Sequence, residues 1–304
     1  MVMEVFLLGF GNLKSSKDLI FALFLLIYLT TLIGNMLIII LIATSPRLHS
    51  PMYFFICNLS ICEMFFTTII IPNLLYILWW NGGYMSFYGC IIQHHLGSAT
   101  GSAECLLLTV MAYDRHLAIC NPLRYSSIMH ASNCIHLVIW AWLLAFILLI
   151  ISTVSICNLQ FCDLNIIDHL YCDLTPILEI SSSDTSMVKM EALLLSFILN
   201  LFPFVLIILS YVSIFFTIQK ISSWSGRQKT FSTCSSHLAS VCMYFGSIFI
   251  NYLVPSQQNM IRINKMLSLL YTVVTPFFNP IIYSLRNHEI MVCFRQYFTV
   301  VNKR

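Results

Sequence analysis

The chain is 304 residues long, 59% hydrophobic and 9% charged, with a formal net charge of +3. Soluble domains carry roughly 25% charged residues, so a water-soluble globule is excluded. A bilayer core of roughly 30 Å takes about 20 residues of helix per crossing. The expected fold is therefore an all-α membrane protein, a seven-transmembrane helix bundle filling 1–304 with no separate soluble domain.

The first apolar run covers 19–43 and is interrupted only by Gly34-Asn35. The second, 52–80, ends on Trp79-Trp80, a pair suited to the interfacial belt. The third, 90–120, is long enough to require tilt. The fourth covers 135–156, the fifth 191–218 with Pro203 inside it, and the sixth 231–253. The seventh, 266–283, is broken by Pro276 and Pro280, and a short cytoplasmic helix and tail fill 284–304. No internal repeat is visible, which argues against the inverted-repeat architecture of many transporters. The start of the chain has no basic stretch ahead of a cleavable apolar core, so no removable signal peptide is expected. Twelve cysteines are too scattered for a small disulfide scaffold, and most lie in apolar runs, where a buried reduced thiol is the default.

Counting Lys and Arg between the runs sets the orientation. Arg47, Arg124, Lys220, Arg227, Lys229, Arg286, Arg295, Lys303 and Arg304 fall on one side. Lys14, Lys17, Lys189, Arg262 and Lys265 fall on the other. Cationic excess marks the cytoplasm. The N-terminus is thus expected outside and the C-terminus inside, in a multi-pass protein of the plasma membrane. The acids Asp163, Asp168, Asp173, Glu179 and Asp184, all in the long outer loop, agree in sense.

Residues 111–125 read MAYDRHLAICNPLRY and set Asp114 beside Arg115 at the end of an apolar run. An acid–base pair at the membrane boundary is costly to desolvate and is seldom left there without a partner or a role. For a lone Arg, an ordinary flanking charge that anchors the helix end would be the plainer reading; Asn121-Pro122 then stops the helix in water. Gly34-Asn35, Leu48-His49-Ser50-Pro51-Met52-Tyr53-Phe54, Ser210-Tyr211, the run from Lys229 to Leu238 and the run from Pro276 to Asn287 complete an ordered set of motifs. On these, spread over nearly the whole chain, the sequence resembles the rhodopsin-like seven-helix receptors and, within them, the odorant receptors. His169-Leu170-Tyr171-Cys172-Asp173 in a long outer loop resembles the tetrapod-type branch, which serves airborne odorants.

The resemblance implies roles for particular residues. Arg115 would leave Asp114 on activation and engage a G protein, with Tyr211, Asn279, Pro280 and Tyr283 as moving parts. Taken without the resemblance, Pro276 and Pro280 support no more than a static kink with freed carbonyls. Glu63 and Glu104 are carboxylates inside apolar helices, where ionisable groups face the bundle interior. With Asn35 and Asn279 they make one candidate polar network, similar to the sodium-linked core of rhodopsin-like receptors. Protonated, hydrogen-bonded acids are the other reading, and both stay open. Cys90 and Cys172 lie on the oxidising side, which favours a bridge that pins the outer loop over the bundle. Cys162 lacks its usual family partner, replaced here by Ser182, and is either free or joined to Cys157.

Gly97, Ser98, Gly101, Ser102 and Cys105 share one helix face at i, i+3 and i, i+4 spacing. Small residues of this kind serve close helix packing on physical grounds alone. The family places its odorant pocket against this face, with Phe245, Ile248, Phe249 and Tyr252 from the sixth helix and Thr272 from the seventh. His94 and His95, about a turn above, read as hydrogen-bonded structure in preference to metal ligands, and sodium is the one ion considered. Two departures from the family stand out. The chain has Tyr244-Phe245-Gly246 where relatives commonly read Phe-Tyr-Gly, so the hydroxyl expected at Phe245 is absent. The Phe6-Leu7-Leu8-Gly9-Phe10 run is not preceded by a glycosylation site, and Asn58-Leu59-Ser60 lies inside the second helix. Poor surface delivery, or an incomplete start to the chain, is the expectation from that.

The expected function is that of an odorant receptor. It would bind a small, neutral, mostly apolar molecule and activate a stimulatory heterotrimeric G protein by shifting a pre-existing equilibrium. A chemosensor used outside the olfactory epithelium is the nearest alternative. A channel or transporter is disfavoured by the lack of repeats and of a continuous polar path. No nucleophile–base set converges, so no enzyme is expected, and nucleic acid is not an expected partner. Amine receptors of the superfamily place an Asp eighteen residues before the Arg of the Asp-Arg pair; here that position is Gly97.

Overall fold

The computed structural model describes residues 4–11, 16–161, 165–253 and 261–301. Its long rods are α1 (Lys17–Thr44), α2 (Pro51–Trp80) and α3 (Phe87–Cys120). After the short α4 (Pro122–Ile128) comes α5 (Ala131–Cys157), and after the short α6 (Leu174–Glu179) comes α7 (Ser186–Gln219). Then follow α8 (Trp224–Leu253) and α9, a rod made of Ile261–Leu269, Leu270–Val274 and Thr275–Arg286. The last element is α10 (His288–Val301). Most rods start or end beyond the apolar runs that mark them, α8 by a full seven residues before Phe231. An apolar run reports only the stretch inside hydrocarbon. The helix continues past it because its backbone groups are still best satisfied internally.

Five rods, α1, α2, α5, α7 and the apolar part of α9, are long and apolar enough to cross a membrane. The other two long rods, α3 and α8, span 34 and 30 residues but are more polar. The reason is position. α3 is packed against α2, α5, α7 and α8, so most of its polar side chains, Gln93, His94, Ser102, Glu104 and Asp114 among them, are buried against protein. The large apolar residues left exposed, such as Leu26 and Ile33 on α1 or Ile147 and Ile151 on α5, form the outer surface expected of a lipid-facing bundle.

Proline shapes two of the rods. Phe197–Leu201 in α7 and Leu270–Val274 in α9 are wide π turns, each ending two residues before a proline, Pro203 and Pro276. Proline donates no N–H and crowds the carbonyl four residues back, and a wide turn relieves that locally. The expected break of the seventh helix at Pro276 and Pro280 is thus corrected. Thr275–Arg286 is one continuous helix with Pro280 inside it, and the irregularity sits one turn earlier. Thr275 Oγ1 donates to Leu270 O at 3.0 Å across that turn. On α1, a Cβ on Gly34 would lie 3.2 Å from Pro280, so glycine is what lets α1 approach α9 this closely.

One end of the bundle carries a small sheet. β1 (Glu4–Leu7) pairs antiparallel with β2 (Gly83–Ser86) and parallel with β3 (Ile166–Ile167). Asn81 closes α2 in the left-handed conformation with φ 54°, and Gly82 follows at φ 117°, where a Cβ would strike the Phe6 ring at 2.5 Å. Cys90 and Cys172 are joined, with their Cα atoms 5.3 Å apart. Gln93 braces the same loop, its Oε1 accepting from Cys172 N at 3.0 Å and its Nε2 donating to Ile69 O at 2.9 Å. Lys265 on α9 is buried; its ammonium donates to Gly9 O at 2.9 Å and pairs with the carboxylate of Asp168. Strand, loop and rod are thereby fastened into one cap. The alternatives for Cys162 fall on a position outside the described residues; Cys157 is an exposed free thiol.

Candidate functional site

At the end of the bundle opposite the cap, Asp114 is fully buried and holds two partners. Arg115 donates to Asp114 Oδ2 from Nε at 3.1 Å and from a terminal nitrogen at 2.6 Å. Tyr125 on α4 donates to Asp114 Oδ1 at 2.8 Å. A small cavity of about 10 Å³, room for about one water, is lined by Arg115, Met111, His237 and Tyr283 among others. Tyr211 does not reach Arg115; its hydroxyl donates to Nδ1 of His237 at 2.6 Å. The other nitrogen of His237 donates to Leu108 O at 3.0 Å, which ties α8 to α3 and fixes the tautomer. Among the described residues the hydroxyl of Tyr283 is buried with no partner at hydrogen-bond geometry, the Ser240 hydroxyl being a polar neighbour. Such an orphaned group is costly to keep, and it lies beside a cavity shared with Arg115.

Midway along the bundle, α1, α2, α3 and α9 bring four polar side chains together. Asn35 donates to Glu63 Oε2 at 3.2 Å and to Thr31 O at 3.1 Å. The amide nitrogen of Asn279 donates to the Glu63 carboxylate and lies 3.4 Å from Glu104 Oε1. All four are buried. Among the described residues Asn279 Oδ1 has no partner and neither carboxylate has a Lys or Arg to pair with. Two facing carboxylates without a counter-charge require a bound cation or a proton.

The small-residue face of α3 lies between this core and the cap. Beside Gly97 on α3, and beside Gly246 on α8, a Cβ would meet nothing within 4 Å among the described residues, so open space flanks both. Tyr244 donates its hydroxyl to Gly101 O at 2.7 Å, across from α8 to α3. Thus the hydroxyl missing at Phe245 is replaced by its neighbour. Ser98 Oγ lies 3.4 Å from Nδ1 of His94, which in turn is 3.9 Å from Asp173 in the cap. Cys105 Sγ approaches Asn200 O at 3.9 Å, Ser102 is buried, and Thr272 is buried with its hydroxyl on Ser268 O at 2.8 Å. Ile248 packs against the main apolar core. Phe245 is buried against Phe204, ring centroids 4.4 Å apart. Phe249 meets the same Phe204 edge-on at 5.3 Å and is 43% exposed, which puts its ring on the outside of the α7–α8 seam. The side chain of Tyr252 lies outside the described residues. His95 bonds Thr153 at 2.8 Å, a structural role. Among the described residues no cluster of three or more His, Cys, Asp or Glu is placed to hold a metal ion.

The cap closes over this face. The hydroxyls of Tyr171 and Tyr271 are hydrogen-bonded to each other, and Tyr271 reaches Asp173 Oδ2 at 3.4 Å. His169 donates from Nδ1 to Tyr171 O at 3.1 Å, and burial holds its imidazole below its ordinary pKa. Sequence reasoning gave no role to His237, Tyr125, Gln93 or Lys265. A polar side chain placed in an apolar run was the available signal for His237; Lys265 counted only as an outer charge.

The olfactory receptor family profile matches residues 24–300. The chain is 44% identical to olfactory receptor 10A7 of Homo sapiens over 95% of this chain and 92% of that one. It is 42% identical to olfactory receptor 10AG1 of Homo sapiens, over 97% of this chain and 98% of that one. Its fold is similar to the crystal structure of squid rhodopsin, with a TM-score of 0.74 at 16% identity over 96% of this chain and 87% of that one. A rhodopsin-like bundle, relatives of this identity across nearly the full length and a matching profile lead to one conclusion: the chain belongs to the olfactory receptor family, a multi-pass plasma-membrane receptor and not an enzyme, of the class that takes a small-molecule ligand and a heterotrimeric G protein.

Proposed function

We propose that this receptor detects a neutral, mostly apolar odorant held between α3, α8 and α9 beneath the cap, and that it signals through a stimulatory G protein at the Arg115 end. The cap faces outward in this reading, because it carries the disulfide and the opposite end carries the excess of Lys and Arg. The observation that supports the ligand class is the face itself. Gly97 stands where an amine receptor has its acid, with open space beside it. The polar groups along that face, Ser98, Ser102 and Thr272, are uncharged. An ammonium buried there without a counter-charge is far costlier than an alcohol, ketone or ether. With few polar contacts the affinity is modest, about −8 kcal/mol or micromolar.

A panel of volatile molecules applied to cells carrying the receptor, read as cyclic AMP, tests both halves. Neutral agonists are expected to raise cyclic AMP, and primary amines of matched carbon skeleton are expected to be silent. The acid of the cap that adjoins this face is Asp173, 3.9 Å from His94, which neighbours Ser98. Amines as the strongest agonists, with the response lost in Asp173→Asn, would overturn the ligand class; agonism without cyclic AMP would overturn the G-protein class.

The buried carboxylates fit a monovalent cation. Glu63, Glu104 and the unpartnered Oδ1 of Asn279 supply oxygen donors of the hard kind such ions take. Sodium held there would tie α2, α3 and α9 together and favour the resting arrangement. The purified receptor should then unfold at a higher temperature in sodium than in an equal concentration of a bulky organic cation. Glu63→Gln should erase the difference. Equal unfolding temperatures for the unaltered receptor would leave a shared proton as the counter-charge and exclude the ion.

A further inference from the structure

The wide turn of α7 carries Asn200, a residue type that a membrane-crossing helix seldom leaves without a partner. The turn, just ahead of Pro203, packs against α3. Asn200 O lies 3.9 Å from Cys105 Sγ, and Asn200 Oδ1 lies 3.5 Å from the Tyr244 hydroxyl, so the amide sits where α3, α7 and α8 meet. Asparagines on other rods use their own helix. The amide nitrogens of Asn35 and Asn58 donate to the carbonyl four residues back, at 3.1 and 2.8 Å. Among the described residues the amide nitrogen of Asn200 has no acceptor. Its oxygen is poorly served as well, because Tyr244 has one proton and gives it to Gly101 O at 2.7 Å. Asn200 is half-buried. Gly97, with open space beside it, lies one turn of α3 from Gly101, so a molecule in that space reaches the amide.

We propose that Asn200 ranks odorants by their hydrogen-bonding group, selecting an alcohol or phenol over the ketone or ether of the same skeleton. This selection rests on the site holding a neutral odorant, as set out above. With the amide nitrogen turned toward Tyr244, every donor in the row has an acceptor. The ligand O–H donates to Asn200 Oδ1, the Asn200 N–H to the Tyr244 oxygen, and the Tyr244 O–H to Gly101 O. Hydrogen bonds in such a row polarise one another in the low dielectric of a bundle. A ketone or an ether brings no proton. It draws the amide nitrogen away from Tyr244 and leaves Asn200 Oδ1 unserved against another oxygen, which is costly. The hydroxyls nearby have little to offer it. Thr100 donates to Leu96 O at 2.7 Å, Thr272 to Ser268 O at 2.8 Å and Ser247 to Tyr244 O at 2.7 Å. The Ser102 hydroxyl donates or accepts and so serves either class alike. The site therefore has acceptors to spare and few protons to give.

The test uses cells carrying the full receptor and four neutral volatiles of one carbon skeleton, that of the strongest neutral agonist in the panel. These are its alcohol, its ketone, its methyl ether and its hydrocarbon, compared by half-maximal concentration with surface receptor counted alongside. The alcohol is expected to act at about fivefold lower concentration than the ketone or the ether, the weight of one net hydrogen bond. Asn200→Leu should erase that difference while Tyr244 keeps Gly101 O. Asn200→Asp, whose protonated carboxyl donates to Tyr244 and still accepts from the ligand, should retain it. A merely structural role for Asn200 would weaken all four ligands equally and leave their order unchanged. A ketone or ether that matches the alcohol on the unaltered receptor would overturn the selection, and that result needs no variant to fold. An alcohol advantage that persists in Asn200→Leu would overturn it too. Neutral agonism survives either result, whereas amines as the strongest agonists would remove the neutral-odorant reading and the selection together.

Discussion

Arg115→Ala is expected to abolish agonist-evoked signalling while receptor remains countable at the cell surface. The side chain is 10% exposed and makes two hydrogen bonds to a fully buried Asp114, so in this arrangement it cannot meet a partner protein. Activation on the proposed mechanism must trade that pair for contacts with the G protein. Removing Arg115 also leaves Asp114 buried with only the Tyr125 hydroxyl at 2.8 Å, and unpairing a buried charge destabilises by about 3–5 kcal/mol. Surface receptor must therefore be counted alongside signal. Asp114→Asn separates the two effects. It removes the charge that restrains Arg115, and a hydrogen bond to a charged group contributes about 1.5–3 kcal/mol. Basal signalling should rise roughly ten- to a hundredfold in the underlying equilibrium. Undiminished signalling by Arg115→Ala at normal surface density would show that Arg115 is only a helix anchor.

What could be read before the structure follows a physical division. Apolar runs must be long to cross hydrocarbon, so the seven rods were legible, including α3 and α8 despite their polar content. Their ends were not, because polar turns at the headgroup level carry no hydropathy signal. Prolines were visible, but not the relief they require. Pro203 and Pro276 each follow a wide turn, and the chain stays helical through Pro280. The carboxylates Glu63 and Glu104 were found because any ion in an apolar helix is conspicuous, and the structure places both against Asn279. Contacts that depend on distant pairing were illegible. Glu4–Leu7 reads as a short apolar tail, yet it is the central strand of a sheet whose other two strands lie far along the chain. Tyr244 is a similar case. The motif seemed to lose a hydroxyl at Phe245, but helix rotation decides which neighbour faces α3, and Tyr244 donates to Gly101 O.

Cys90→Ser is expected to remove most receptor from the surface, Cys172→Ser equally, and the double variant no more than either. One bond is lost in all three. It closes a loop between residues 82 apart in the chain, and removing a native disulfide typically costs about 2–5 kcal/mol. That is a large share of the roughly 5–15 kcal/mol that holds a folded chain together. The position adds to the effect. Cys172 is the point at which the loop bearing β3, and through it β1, is fixed to the start of α3, beside the brace from Gln93. Without it, Lys265, through Asp168 and Gly9, remains as a polar fastener between cap and α9 beside the Tyr271 hydroxyl on Tyr171 and Asp173. Lys265→Met in the unaltered background should therefore cause a smaller loss, and combined with Cys90→Ser a loss greater than either alone, because the two hold the same cap at different places. Surface labelling ranks the variants, and peptide mapping without reductant identifies the bond. A Cys90 peptide linked to Cys162, or a double cysteine variant worse than both singles, would show that the cap is not held in this way.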